Sequence, residues 1–218
     1  MIIWAIIPVK PLFDSKSRLA QVLSPEERAD LTSRILESTV QVLNDVDDID
    51  RILVVSRDSK ALKIARNGGA LTYSETDKQG LNSALTRATQ IAATQKADCV
   101  LIIPADLPFV SAEDVQEMIK QATEGVVVGG NGDNGPQHRA MAICGDHNRD
   151  GSNALFVCPP TGFTFQYGPD SFNLHIEEAS RLGMTARIVE TPGIRFDVDT
   201  EEDWKTYLSL LANPVPSS

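Results

Sequence analysis

Short apolar runs that alternate with amphipathic stretches limit the folding of this chain more than any other feature. The runs lie at 2–8, 51–56, 98–103 and 126–129, and apolar residues recur at helical spacing between them. A run that is apolar at nearly every position, without alternation, indicates a strand covered on both faces, as in parallel sheets flanked by helices. We therefore predict an α/β fold, a doubly wound three-layer αβα sandwich with a mostly parallel sheet.

Helix starts are indicated where a serine or threonine precedes Asp or Glu residues, which the helix dipole favours in a first turn. The candidate cap residues are Ser24, Ser111 and Thr200. After Ser24, a proline and then apolar residues at helical spacing predict a helix of about five turns. A further helix is expected from about Ser171 to Gly183, followed by a strand at 186–190.

The composition restricts the class of protein. The chain has 218 residues, of which 42% are apolar, and a formal net charge of -10. This length fits one domain, which we place at 1–212 with a frayed tail at 213–218. The acidic balance argues against a nucleic-acid or membrane partner, since both require a basic surface. Three cysteines without C-x-x-C spacing predict reduced thiols and a cytoplasmic location.

A carboxylate follows the apolar run at 98–103, in the motif PADLP at 104–108. The two prolines stop the strand and shape the loop that carries Asp106. In open α/β sheets, ligands bind in the crevice at the carboxyl ends of strands. Because hard cations prefer carboxylate oxygens, the position of Asp106 suits a cation.

Two more carboxylates occur in the motif FDVDT at 196–200. Alternation along an extended segment predicts that Asp197 and Asp199 lie on one side and Val198 on the other. Two such carboxylates repel each other unless a positive charge neutralises them, so together with Asp106 they could hold one or two Mg²⁺ ions. The alternative is that Asp199 simply precedes the last helix.

A basic loop leaves the first strand and contains Lys10, Lys16 and Arg18. Cations and backbone N–H groups at such a junction can hold a triphosphate. The glycine spacing of a P-loop is absent from this segment, which excludes that motif. The alternative interpretation is a solvated basic loop.

Two further segments carry small polar residues. A predicted helix opens with Gly80, Leu81 and Asn82. Asn82 either caps this helix, which we favour, or reads a nucleobase edge with its amide.

Ser152 and Ser171 each lie near glycines. Ser171 is at a predicted helix N-terminus that could hold the anion of a small phosphorylated acid. The alternative is that both serines belong to ordinary turns.

In this order, the motifs PVKP, KSRL, QGLN, PADLP, GSNALF, YGPDSF and FDVDT resemble those of the guanylyltransferases of coenzyme F(420) biosynthesis. The resemblance spans nearly the whole chain. It implies a Rossmann-like nucleotidyltransferase core of the glycosyltransferase-A type. It also implies transfer of GMP from GTP to the phosphate of phosphoenolpyruvate or 2-phospho-L-lactate, with release of pyrophosphate.

The resemblance also implies roles for individual residues. The metal-binding positions of the family fall on Asp106, Asp197 and Asp199. The positions that bind the phosphorylated acid fall on Ser152, Gly168 and Ser171, and Ser152 retains the hydroxyl of the threonine that is commoner in relatives. The nucleotide positions fall on Pro8, Lys10, Lys16, Gly80, Leu81 and Asn82.

One segment departs from the family pattern. Relatives pass almost directly from the strand after the PADLP helix to the GSNALF motif, whereas this chain has an additional stretch at 129–149, which is turn-rich at 129–136 and strand-like only at 140–144. We expect an inserted hairpin or flap there, which covers the site or mediates contacts in a homodimer. His138 and Arg139 are alternatives as phosphate contacts, although a surface loop is the simpler interpretation.

The reaction expected from these residues is direct in-line attack of the acceptor phosphate on the α-phosphorus of GTP. Lys10, Lys16 and Arg18 would neutralise the triphosphate, beside Mg²⁺ on the aspartates, and no general base is required. Sugar-phosphate or molybdopterin-type nucleotidyltransferases are an alternative, disfavoured because PVKP replaces their glycine-rich turn. A non-catalytic nucleotide-binding module is disfavoured by the three aspartates. We favour phosphoenolpyruvate over 2-phospho-L-lactate and 3-phosphoglycerate as the acceptor.

Overall fold

The computed structural model describes residues 1–75, 80–124 and 139–213. Within these residues the strands form one seven-stranded sheet, with helices between them. The strands are β1 (Ile3–Val9), β2 (Arg51–Ser56), β3 (Leu71–Ser74), β4 (Cys99–Ile102), β5 (Ala140–Gly145), β6 (Ser152–Cys158) and β7 (Thr185–Ile188). The α-helices are α1 (Pro25–Asn44), α2 (Ser59–Asn67), α3 (Leu81–Thr94), α4 (Ala112–Thr123), α5 (Ser171–Arg181), α6 (Pro192–Arg195) and α7 (Glu201–Ala212).

The order of the strands is β3-β2-β1-β4-β6-β5-β7. Neighbouring strands are parallel except where β6 pairs with β4 and β5, which it meets antiparallel. The carboxyl ends of β1, β2 and β4 therefore lie at the same edge as the beginning of β6. Residues that follow the parallel strands and residues that open β6 can meet at that edge.

The core has two halves, one on each face of the sheet. Along β1, Ile3, Ala5 and Ile7 pack with residues of α1, α2 and α4. Trp4 and Ile6 point to the opposite face and pack with residues of α3 and α5. This arrangement confirms the predicted three-layer αβα sandwich. The predicted strands at 2–8, 51–56 and 98–103 are also confirmed, whereas 126–129 lies outside the described residues.

The cap residues identified in the sequence are confirmed. Ser24, Ser111 and Thr200 each form a capping box with the residue three positions later. The helix after Ser24 has 20 residues, which matches the predicted five turns. Gly183, with φ of 63°, follows the predicted helix that begins at Ser171. Among the described residues, no helix is long and apolar enough to cross a membrane.

Of the hairpin or flap expected at 129–149, residues 125–138 lie outside the described residues. The strand-like run at 140–144 belongs to the strand β5, which forms an antiparallel hairpin with β6. It is not part of a flap, because it lies in the interior of the sheet between β6 and β7. All six of its residues are buried, because its side chains meet helices on both faces. Arg139 donates a hydrogen bond to the carbonyl oxygen of Leu182, at 3.3 Å. The limits of the domain at 1–212 and the tail at 213–218 stay predictions.

Gly193 lies in α6, the short helix that precedes Asp197, and is closely packed. A Cβ atom on Gly193, in α6, would collide with the carboxylate of Asp114 and with the carbonyl oxygen of Phe109. We expect Gly193→Ala to lower the free energy of unfolding by about 1–3 kcal/mol, because a packed site has no room for an extra carbon. Chemical denaturation measures the change. Ser209→Ala, at an exposed position of α7, is the control, and equal stability of the two variants would contradict the prediction.

Candidate active site

A cavity of about 430 Å³ opens at the carboxyl edge of the sheet, beyond the ends of β1 and β4. Strand order changes direction between these two strands, which is where open α/β sheets bind ligands. Several residues that the sequence singled out line the cavity: Pro8, Lys10, Lys16, Gly80, Leu81, Asp106, Ser152 and Asp199. Residues that sequence reasoning missed also line it: Arg57, Glu75, Asn153 and Tyr167.

Asp106 is half-buried and has one fully buried carboxylate oxygen with unused hydrogen-bonding capacity. Its Oδ1 atom is buried and has no hydrogen-bond partner among the described residues. Burial raises the pKa of Asp106; the charge of Lys16 opposes this shift, and the charge of Asp199 adds to it. An unpaired buried carboxylate is costly. A bound cation would remove that cost.

Asp197 and Asp199 lie beside Asp106, on the segment between α6 and α7. The backbone N–H of Val198 donates to the carbonyl oxygen of Asp106 at 3.2 Å, and the Val198 side chain is buried. Burial, with the charge of Asp106 as a second cause, raises the pKa of Asp197 to about 6. Asn153 Nδ2 donates to Asp197 Oδ1 at 3.3 Å. The segment therefore brings Asp197 into the electrostatic field of Asp106.

The three aspartates are candidates for a magnesium site. Within the described ranges, no three His, Cys, Asp or Glu side chains form a ready-made metal cluster. Magnesium needs only one or two protein carboxylates, because phosphates and waters complete its shell. The unpartnered oxygen of Asp106 and the raised pKa of Asp197 are what such an ion would satisfy. The donor set fits Mg²⁺, and its use remains a proposal.

The basic loop contacts the segment at 197–199, which carries Asp197 and Asp199. Lys16 is only 8% exposed, and its Nζ donates to the carbonyl oxygen of Val198 at 2.7 Å. Arg18 pairs with Asp199 at 3.0 Å, whereas Lys10 is exposed in the wall of the cavity. Two of the three cations therefore hold the loop against the segment that carries Asp197 and Asp199, which the sequence did not indicate.

The preferred role of Asn82 as a helix cap is wrong. Gly80 occupies the cap position with φ of 85°, a left-handed conformation that glycine adopts without strain. The Asn82 side chain instead holds the backbone of Tyr167: Nδ2 donates to its carbonyl oxygen at 3.2 Å, and Oδ1 accepts from its N–H at 2.8 Å. Asn82 thus joins α3 to the 163–170 loop. Its contact with a nucleobase stays a prediction.

The predicted acceptor residues do come together. Ser152 opens β6 and Ser171 opens α5, and their Oγ atoms are 3.2 Å apart. The N–H of Ser171 donates to the carbonyl oxygen of Gly168, whose φ of 140° favours glycine. Ser152 Oγ also lies 2.9 Å from Nδ1 of the buried His175. Sequence reasoning missed His175, although its place one helical turn after Ser171 puts both on one face.

Tyr167 is a second residue that sequence reasoning missed. Its hydroxyl is buried and unpartnered among the described residues, and burial, with the charge of Asp106 as a lesser cause, raises its pKa. The ring packs edge-on against His175, with centroids 4.9 Å apart. Asn82 fixes the backbone of this tyrosine at the cavity wall. The hydroxyl is a donor available to a ligand beside Asp106.

The fold and this site define a nucleotidyltransferase with a glycosyltransferase-A-like core. A solved nucleotidyl transferase from Methanothermobacter thermautotrophicus is similar in structure, with a TM-score of 0.65 at 14% identity, over 97% of this chain and 99% of that chain. The family model described as "Guanylyl transferase CofC like" matches residues 3–208, and the chain belongs to this family.

Two relatives carry the names of guanylyltransferases. Phosphoenolpyruvate guanylyltransferase of Rubrobacter xylanophilus is 37% identical over 203 residues, which are 93% of this chain and 92% of that protein. The 2-phospho-L-lactate guanylyltransferase of Methanothermobacter thermautotrophicus is 31% identical over 199 residues, covering 91% of this chain and 81% of that protein. The resemblance found in the motifs is thereby confirmed.

A prediction follows from the electrostatics of Asp197. Its pKa of about 6 in the folded protein lies above the ordinary value of 3.8, so the folded protein binds more protons between these pH values. Stability therefore falls as the pH rises through this range and stays lower at neutral pH. We expect Asp197→Asn to raise the free energy of unfolding at pH 7 by about 1 kcal/mol, because it removes the buried charge and keeps an acceptor for Asn153.

Thermal unfolding of the metal-free protein at pH 4 and pH 7 measures this difference. The stabilisation should be present at pH 7 and absent at pH 4, where the wild-type carboxyl is already protonated. Asp30→Asn, in the surface ion pair with Arg34, is the control and should change little. A less stable Asp197→Asn variant at pH 7 would show that the carboxylate stabilises the fold instead.

Proposed function

We propose that this enzyme transfers GMP from GTP to the phosphate of a small phosphorylated carboxylic acid and releases pyrophosphate. Phosphoenolpyruvate is the first candidate for the acceptor and 2-phospho-L-lactate the second. The observation that carries the proposal is that one cavity is lined by Lys10, Lys16, Asp106 and Ser152, with both lysine charges acting on Asp106. The names of the relatives support the choice of substrates.

The chemical task is to bring two anionic phosphates together. An oxygen of the acceptor phosphate attacks the α-phosphorus of GTP, the new P–O bond forms, and the bond to the β-phosphate oxygen breaks. Pyrophosphate leaves with the electron pair, and Lys10 and Lys16 stabilise its charge. Because a phosphate oxygen is already an anionic nucleophile, the reaction needs no general base.

We propose Mg²⁺ as the cofactor, held by Asp106 with Asp197 or Asp199, as one or two ions. When bound, the metal would neutralise phosphate oxygens and orient them for in-line displacement. The protein's own contribution is to keep Asp106 and Asp197 partly buried and close to each other. Arg18 contributes by pairing with Asp199, which keeps that carboxylate in place beside the cavity.

The acceptor would bind at the two serines. Both hydroxyls are buried, and Ser171 begins an α-helix of 11 residues, whose N-terminus favours an anion. Gly168 supports this turn through its carbonyl oxygen. Neutral hydroxyl donors at a helix N-terminus suit a phosphate or carboxylate group. We assign the acceptor to this side and the nucleotide to the basic loop and Gly80, Leu81 and Asn82.

The acceptor specificity and the cellular location of the enzyme are also part of the proposal. A 3-phosphoglycerate acceptor and another sugar-phosphate substrate are alternatives, since these acids differ by small groups near the reacting phosphate. A cytoplasmic location is supported by the cysteines, which are all free thiols. The carboxylates of the cavity argue against a purely nucleotide-binding role, because binding alone would not require them.

The proposed reaction predicts pyrophosphate release that depends on GTP, Mg²⁺ and one acceptor. We expect phosphoenolpyruvate to give the highest kcat/KM, tested against 2-phospho-L-lactate and 3-phosphoglycerate at equal concentration. Replacement of GTP by ATP, or addition of a chelator, should reduce the rate to background. Pyrophosphate release without an acceptor, or no release with any of the three, would refute the proposal.

The metal assignment predicts the result of changing Asp106. Asp106→Asn should lower kcat by about 100-fold or more, because charge stabilisation at the reacting phosphates is lost. The variant should remain folded, since the change removes a buried charge. Asp30→Asn, on the surface of α1, is the matched control and should keep full activity. Full turnover by Asp106→Asn would remove this carboxylate from the metal site.

A further inference from the structure

We propose that His175 is a positioning residue that fixes the direction in which the Ser152 hydroxyl donates its hydrogen bond. The inference rests on the proposed function, because it treats Ser152 as a contact of the acceptor anion. His175 does not line the cavity, whereas Ser152 does. His175 therefore acts on the acceptor through Ser152.

The protonation pattern of His175 follows from its partners. The backbone N–H of Gln166 donates to Nε2 at 3.0 Å. A backbone amide can only donate, so Nε2 must be the ring nitrogen with the free lone pair. A neutral imidazole has one N–H, which therefore lies on Nδ1. Burial lowers the pKa of His175 to about 4, although the charge of Glu178 opposes this shift, so the ring is neutral at pH 7.

The Nδ1–H bond then sets the role of Ser152. Its Oγ lies 2.9 Å from Nδ1 and must accept the hydrogen bond. The hydroxyl hydrogen of Ser152 is thereby directed away from the ring, towards Ser171 Oγ at 3.2 Å or towards an occupant of the cavity that Ser152 lines. With the other tautomer, Ser152 would donate into the ring and present only lone pairs to an anion, which would repel it.

The surroundings of His175 hold the ring in this orientation. The side chain is fully buried, between the rings of Tyr167 and Phe163 at centroid distances of 4.9 and 5.7 Å. Glu178 accepts a hydrogen bond from the N–H of Thr164 at 2.8 Å, which ties the loop that contains Gln166 to α5. Because this hydrogen bond holds the loop against α5 close to the ring, Nε2 keeps the N–H of Gln166 as its donor.

The alternative is that His175 only fills the core and satisfies the N–H of Gln166. Two substitutions separate these roles, because each retains the hydrogen-bonding function of only one of the two ring nitrogens. The amide nitrogen of His175→Asn can replace Nδ1 as the donor to Ser152. The carbonyl oxygen of His175→Gln can replace Nε2 as the acceptor for Gln166, but this variant lacks the donor at the position of Nδ1.

The kinetic experiment measures pyrophosphate release with GTP, Mg²⁺ and the acceptor that the wild-type enzyme uses. We expect His175→Gln to raise the KM for the acceptor about ten-fold or more, since hydrogen bonds to charged groups are among the stronger ones. The KM for GTP should stay unchanged. His175→Asn should restore the acceptor KM to near the wild-type value, whatever its effect on thermal stability.

A double-mutant cycle tests whether the effect passes through Ser152. In a Ser152→Ala background, His175→Gln should cause no further rise in the acceptor KM. Equal effects of His175→Gln with and without Ser152, or equal effects of His175→Asn and His175→Gln, would overturn the inference while leaving the proposed reaction intact. Failure of the wild-type enzyme with every acceptor would overturn the proposed reaction and this inference together.

A measurement on the wild-type ring covers the case in which the His175 variants do not fold. His138→Gln with His147→Gln leaves His175 as the one histidine of the chain. Nitrogen NMR of the labelled ring should report the tautomer with hydrogen on Nδ1 at pH 7. The tautomer with hydrogen on Nε2 would overturn the inference.

Discussion

The antiparallel pairing of β6 with β4 joins two distant parts of the chain at one edge of the sheet. Leu155 lies opposite Ile102, so the start of β6 is level with the loop that follows β4. Parallel strands alone would carry their N-termini to the far edge. The reversal therefore brings Ser152 and its neighbour Asn153 beside Asp106, and the hydrogen bond from Asn153 to Asp197 extends the same contact to the segment before α7.

This edge concentrates charge that does not favour folding. Burial raises the pKa of Asp106 and of Asp197, which means that their charged forms are less stable in the folded protein than in water. The charge of Lys16 opposes the shift at Asp106, and Arg18 pairs with the neighbouring carboxylate of Asp199. The arrangement is costly without a cation and suited to one, and this supports the proposal of a metal ion at these carboxylates.

Much of the fold could be predicted from the sequence because its signals are local. Apolar runs and serine caps depend on neighbouring residues, so β1, β2 and α1 were found close to their bounds. The run at 140–144 was recognised as strand-like but assigned to a flap, because its place inside the sheet depends on pairing with β6 and β7, which the run itself does not report. The prediction that Asn82 caps a helix was wrong for a similar reason, because its partner, Tyr167, is 85 positions away in the sequence. The aspartates carry recognisable motifs, but their pKa values depend on burial, which no motif reports.

The two sides proposed for the nucleotide and the acceptor differ in the kind of donor they offer, and this difference suits an attacking phosphate. In the proposed reaction, Lys10 and Lys16 would lie on the nucleotide side, where negative charge accumulates on the leaving pyrophosphate. The proposed acceptor side has the neutral hydroxyls of Ser152, which lines the cavity, and of Ser171, 3.2 Å from it, which would hold an anion without neutralising it. A phosphate bound by neutral donors keeps more charge on its attacking oxygen than one paired with lysine. Control of the hydroxyl direction then matters more than added positive charge, because a misdirected hydroxyl would repel the anion it should bind.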